Sequence, residues 1–162
     1  MKILIFTEGT IIMHKNAVGH TREEIVEQVK NNENSVKDCA SYIPIGNAAD
    51  KLSGWKNQGA EILYLSSRKT LEEIENIGQV LKKYNFPNGK LLFRQNNEEY
   101  KDVAERIVPD ILIEDDCESI GGIDEMTITH VNSQIKTKMK SISVKEFGGI
   151  DFLPDKISAL IK

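Results

Sequence analysis

Residues 1–12 read MKILIFTEGTII. An apolar run from Ile3 to Phe6 stops at Thr7-Glu8-Gly9-Thr10, and the apolar character resumes at Ile11. A strand buried on both faces is a continuous apolar run rather than an alternation, and one that ends in polar residues and glycine delivers a loop to the edge of a sheet. The same pattern recurs along the chain. AEILYLSS (60–67) is a second buried strand, Leu91 to Phe93 a third, and DILIEDD (110–116) a fourth that ends in acid.

Amphipathic helices alternate with these strands. Thr21-Arg22-Glu23-Glu24 has the spacing of a capping box, with Ile25, Val26 and Val29 following on one face. Residues 31–34 (NNEN) form a loop. Residues 47–58 predict a helix with Ala48, Leu52 and Trp55 inside and Gly59 as its stop. Thr70 caps a long helix carrying Ile74, Ile77, Leu81 and Tyr84, and NFPNGK (85–90) turns the chain into the third strand. Asn97 starts a helix with Val103, Ala104 and Ile107 inside, broken by Pro109. Met126–Val131 and Ile142–Val144 read as further strands, and Asp155–Ile161 as a short closing helix. The alternation predicts an α/β fold: three-layer and Rossmann-like, with a mostly parallel sheet covered by helices on both faces.

The 162 residues suit one domain, and the 40% hydrophobic and 28% charged content is that of a globular protein. A net charge of -4 argues against a nucleic-acid partner, because phosphate contacts need a basic face. No apolar run nears the roughly 20 residues of a membrane span, and the N-terminal run lacks the features of a signal peptide. A cytoplasmic location is expected. Cys39 and Cys117 are too far apart in sequence for a CxxC site, so reduced, buried thiols are expected rather than zinc.

In parallel sheets ligands bind at the carboxyl ends of the strands. Those ends carry Thr7, Glu8, Gly9 and Thr10; Ser66, Ser67 and Arg68; Arg94, Gln95 and Asn96; and Glu114, Asp115 and Asp116. Several carboxylates at one mouth suit a hard cation, and hydroxyls with backbone N–H groups and a lysine suit phosphate oxygens. Neither a GxxxxGK[ST] loop nor a GxGxxG turn is present, so P-loop and dinucleotide sites have no support.

At these residues the sequence resembles the haloacid dehalogenase-like (HAD-like) superfamily, across about residues 1–120. ILIFTEGTII is similar to its first motif, a strand followed by DxDGT. ILYLSSRKT is similar to the second, DILIEDDCESI to the fourth, and IPIGNAADKLSGWKNQGAEILYLSSR to the approach to the second motif. The resemblance implies phosphate binding by Ser66, Lys101, Gly9 and Thr10, and magnesium held by Asp115, Glu114 and Asp116. It implies a phosphohydrolase that departs from its family at the site of chemistry. The family's nucleophilic aspartate is matched by Phe6, or by Thr7 if one residue is deleted, and its acid/base aspartate by Glu8. Phe6 has no nucleophilic atom, and a phosphothreonine at Thr7 would be hard to hydrolyse. Magnesium is therefore expected to bind weakly, and phosphoaspartyl catalysis is not expected. Two readings stay open: a metal-dependent, phosphatase-like hydrolase in which Glu8 activates water, or a non-catalytic binding or regulatory module.

Arg68 is a candidate phosphate clamp. His14 and His20 read as surface residues. Residues 13–42 take the place of the family's cap, here reduced and leaving an open mouth, within a single HAD-like domain spanning 1–162. The expected partner is a phosphorylated small molecule or another protein. Residues 140–154 lie outside the resemblance and read as a strand and a tight turn with no assigned chemistry.

Overall fold

The structure, a computed structural model, describes residues 1–161. Strand β1 (Lys2–Phe6) leads into a short β2 (Ile12–Met13), then helices α1 (Arg22–Lys30) and α2 (Asn34–Lys37) and strand β3 (Ile43–Pro44). Next come α3 (Ala48–Asn57), β4 (Glu61–Leu65), α4 (Leu71–Lys83), β5 (Lys90–Leu92), α5 (Tyr100–Ile107) and β6 (Ile111–Asp115). Helices α6 (Thr127–His130) and α7 (Ser133–Lys136) precede β7 (Lys140–Val144).

Five of these strands form one sheet in the order β5-β4-β1-β6-β7, parallel throughout. β1 is central because its residues are apolar on both faces. Ile3 and Ile5 face a core made with Leu52 and Trp55 of α3 and Ile77, Val80 and Leu81 of α4. Leu4 and Phe6 face the opposite core, with Val103 and Ala104 of α5 and Val131. The three-layer, Rossmann-like fold expected from the alternation is the one observed. Both predicted capping boxes, at Thr21 and Thr70, are present.

Four local expectations change. Met126–Val131 is not a strand: Thr127–His130 forms a helical turn, because the carboxylate of Glu114 accepts from the N–H groups of Thr127 and Ile128 at 2.8 and 2.9 Å. That contact outweighs the strand preference of Thr127 and Ile128. Helix α5 starts at Tyr100 rather than Asn97, since Glu99 and Asp102 form the reciprocal cap. Part of the expected loop at 31–34 is taken up by α2, and the closing helix shrinks to a single 3₁₀ turn, Ile157–Ala159. No helix among the described residues is long and apolar enough to cross a membrane.

Candidate functional site

The loop after β1 is tightly wound. The N–H groups of Ile11 and Ile12 both donate to the carbonyl of Thr7, and the Gly9 N–H donates to Ile12. Gly9 has φ of +80°, and a Cβ there would stand 2.9 Å from Asp115 Oδ2. Glycine therefore serves both the left-handed turn and the close approach of β6.

This turn aims Glu8 across the carboxyl end of β4. Ser66 Oγ donates to Glu8 Oε1 at 2.6 Å, while the Ser67 N–H (2.9 Å) and Thr7 Oγ1 (2.7 Å) donate to Oε2. Arg68 Nε lies 3.7 Å from Oε1. The hydroxyl and backbone donor expected to hold phosphate thus hold the protein's own carboxylate. Glu8, Ser66 and Asp115 do share one sheet edge. Thr10 Oγ1 and the Cys117 N–H donate to Asp115 at 2.9 Å each, so Thr10 supports β6 rather than facing a ligand.

Phe6 ends β1 buried, edge-to-face with Tyr100 at 5.2 Å between ring centres. Thr7 is fully buried with its hydroxyl committed to Glu8. Neither atom set provides a nucleophile. Lys101 does not reach the site: its ammonium pairs with Glu99 at 3.1 Å, and it is absent from the cavity walls. The reason is the helix start. With α5 beginning at Tyr100, that ring faces the cavity, and the next residue is rotated away by about 100°.

Magnesium does not fit this arrangement. Both oxygens of Glu114 accept backbone N–H groups, both oxygens of Asp115 accept protein donors, and position 6 offers none. Asp116 turns outward to Lys145 Nζ at 2.9 Å and the Glu146 N–H at 3.0 Å. No group of three or more ligating side chains is gathered among the described residues.

A cavity of about 280 Å³ opens beside these residues. The 13–42 segment contributes Met13, His14, Val29, Asn32, Val36 and Tyr42 to its wall. Arg68 lies against Tyr42, donating from Nη2 to the phenol oxygen at 2.8 Å. Arg94 stacks over Tyr100 at 4.1 Å.

His20 is exposed and paired with Glu24, as expected, but His14 is buried, with Nε2 2.7 Å from Gln28 Oε1. Glu146 is a site residue that sequence reasoning missed. It follows β7, accepts from the N–H and hydroxyl of Ser119 (2.7 and 2.6 Å), and lines the cavity with Phe147. Phe147 has φ of +61° and donates its N–H to the Gly9 carbonyl at 2.7 Å, so the 140–154 segment locks the first loop in place. The signal was the strand ending at 144, which had to finish at the same sheet edge.

Burial pushes Glu114, Asp115 and Glu146 above the ordinary carboxylate range, with their hydrogen bonds opposing. Burial, and then the neighbouring acids, push the Cys117 thiol up, which keeps it protonated and unreactive. Cys39 and Cys117 are both free thiols.

No protein-family model matches the sequence, and no curated protein sequence matches it. Among solved structures, the chain is similar to one in the Pnkp1/Rnl/Hen1 RNA repair complex. The TM-score is 0.57 at 17% identity, over 89% of this chain and 42% of that one. A second structure of the Pnkp1/Rnl/Hen1 complex gives 0.55 at 17%, over 89% and 46%. The chain thus spans less than half the length of those matches, and the likeness is one of fold. A D,D-heptose 1,7-bisphosphate phosphatase from Burkholderia thailandensis matches at 0.48 and 6% identity, over 91% of this chain and 93% of that one.

Proposed function

We propose that the chain is a divergent HAD-like protein that has kept the scaffold and strand-edge pocket of a phosphohydrolase and uses them for binding rather than hydrolysis. In this reading residues 1–162 act as one domain, and the 13–42 segment is a short cap-like wall. The observation that carries it is the pair Phe6 and Glu8. An aromatic ring stands where covalent attack would begin, and a carboxylate fills the donor cradle of Ser66 and Ser67. A phosphate entering that cradle must first displace Glu8, against charge-assisted hydrogen bonds that are stronger than neutral ones. Glu8 as a water-activating base has the further difficulty that both oxygens are already accepting.

The test is hydrolysis of a generic aryl phosphate with magnesium present. The expected result is no turnover above background. Turnover that is abolished by EDTA and by Asp115→Asn would instead support the magnesium-dependent hydrolase.

A further inference from the structure

The sheet ends on an open strand. β7 stands at one margin of the order β5-β4-β1-β6-β7 and pairs with β6 alone. With five residues it is the longer margin, since β5 has three. In a parallel pair every second residue turns its N–H and C=O toward the neighbouring strand. The Lys140 N–H donates to the Asp110 carbonyl at 2.9 Å, so Lys140, Ile142 and Val144 face β6, while Ser141 and Ser143 turn their backbone groups outward. Those outward groups have no hydrogen-bond partner among the described residues, and Ser143 is exposed. Val144 is buried in the core with Ile3 and Ile5, and Ile142 packs against it, so the edge is held in place before any partner arrives. Unpaired N–H and C=O groups along such an edge are a template for another strand.

Charge selects the partner. No Asp or Glu lies between Glu125 and Glu146, whereas Lys136, Lys138, Lys140 and Lys145 do, in a chain of net charge -4. Lys138 is exposed and has no ion pair among the described residues, while Lys145 pairs with Asp116. Two copies of this edge brought together would set like charges against each other, and lysine on an edge strand is a guard against such self-pairing. An acidic strand meets attraction instead. Apolar hollows lie at both ends of β7. At the carboxyl end Ile123 and Phe152, 71% and 68% exposed, border one together with Met126. At the amino end Met139 and Ile161 border another. Large apolar side chains left exposed together mark an interaction surface. A nucleic acid would match the lysines but leave the outward backbone groups and both hollows unused.

We propose that β7 is a docking edge for an extended acidic segment of a partner protein, which adds a strand to the five-stranded sheet. The segment's main chain exchanges hydrogen bonds with Ser141 and Ser143, its carboxylates face the lysines, and apolar residues at its two ends enter the hollows. Neither hollow shares a lining residue with the cavity beside Glu8, so the inference is independent of how that cavity is used.

The probe is a fluorescently labelled heptapeptide of sequence FEVEVEL, titrated with the wild-type protein and followed by anisotropy. Its counterpart FKVKVKL keeps the strand pattern and the apolar ends and reverses the charge. The acidic peptide is expected to bind saturably, with the lysine peptide at least about tenfold weaker. Raising the salt from about 0.05 M to about 0.5 M should weaken the acidic peptide. Ser143→Pro removes an outward N–H and leaves the ladder to β6 intact, so it should weaken the acidic peptide at least about tenfold. Lys138→Glu should weaken the acidic peptide and strengthen the lysine one. The proposal is overturned if the acidic peptide does not bind, if both peptides bind alike, or if folded Ser143→Pro binds as wild type does. Sedimentation of the chain alone adds one more arm: a dimer that Ser143→Pro dissociates would make a second copy the occupant and overturn the proposal as well. Should Ser143→Pro fail to fold, the charge reversal at exposed Lys138 decides, and unchanged affinities for both peptides would overturn it.

Discussion

Replacing Glu8 by alanine should both destabilise the protein and open an anion site that the wild type lacks. The carboxylate is the shared acceptor for Ser66 Oγ, the Ser67 N–H and Thr7 Oγ1, with Arg68 beside it. The hydroxyls can rotate toward other acceptors or water, but the Ser67 N–H and the Arg68 guanidinium cannot easily do so. Leaving one donor and one partly buried charge without an acceptor costs about 3 kcal/mol. For a chain of this size that is a fall of roughly 6–12 °C in melting temperature. The vacated donors form a cradle for an oxyanion. If inorganic phosphate binds it with a Kd of about 1 mM, then about 10 mM phosphate returns roughly 1.4 kcal/mol, or about 3–6 °C. Melting curves of wild type and Glu8→Ala, with chloride or phosphate at matched ionic strength, read this directly. Phosphate should raise the variant and leave the wild type in place. Equal stabilisation of both proteins, or a variant as stable as wild type, would refute the idea that Glu8 is a fixed anion seated on phosphate-binding donors.

Two further outcomes follow from the same geometry. Lys101→Ala should change stability by no more than about 0.5 kcal/mol, as melting curves of the variant will show. The melting temperature should also fall as pH rises from about 4.5 toward neutrality. Burial raises the folded-state values of Glu114, Asp115 and Glu146, so the folded protein holds these protons more tightly than the unfolded chain. Their stabilising protonation is complete below the unfolded values and is lost as pH climbs through the raised ones. Asp116, whose value is lowered by its hydrogen bonds to Lys145 and Glu146 despite partial burial, acts in the window below 3.8 instead. Glu146→Gln should flatten the slope above pH 4.5, and a wild-type melting temperature that rises through this window would contradict the assignment.

What the sequence made legible was whatever burial alone dictates. Ile3 to Phe6, Ile62 to Leu65 and Ile111 to Ile113 are apolar on both faces, so their place at the centre of a parallel sheet follows from composition. The convergence of Glu8, Ser66 and Asp115 follows from strands running in the same direction. Contacts between distant residues were not legible. Thr127 and Ile128 look like strand until Glu114 takes up their N–H groups. The one-residue question of where α5 begins decides whether Tyr100 or Lys101 faces the cavity, and it rests on the pairing of Glu99 with Asp102. His14 looks like a surface residue because nothing in its neighbourhood shows that Gln28 will meet it 14 positions later. Glu146 was hidden for the same reason, since its partner Ser119 lies on the other side of β7.

The central claim is that this sheet edge is not built for phosphoryl transfer, and it can be tested without knowing a substrate. A site that stabilises the transition state binds a transition-state analogue at least 10²-fold more tightly than a ground-state ligand. Calorimetric titration of the wild-type protein with orthovanadate and with phosphate, each with and without magnesium, makes that comparison. The account predicts that vanadate binds no more tightly than phosphate and that magnesium changes neither. Vanadate binding about a hundredfold tighter than phosphate, and only with magnesium, would contradict it.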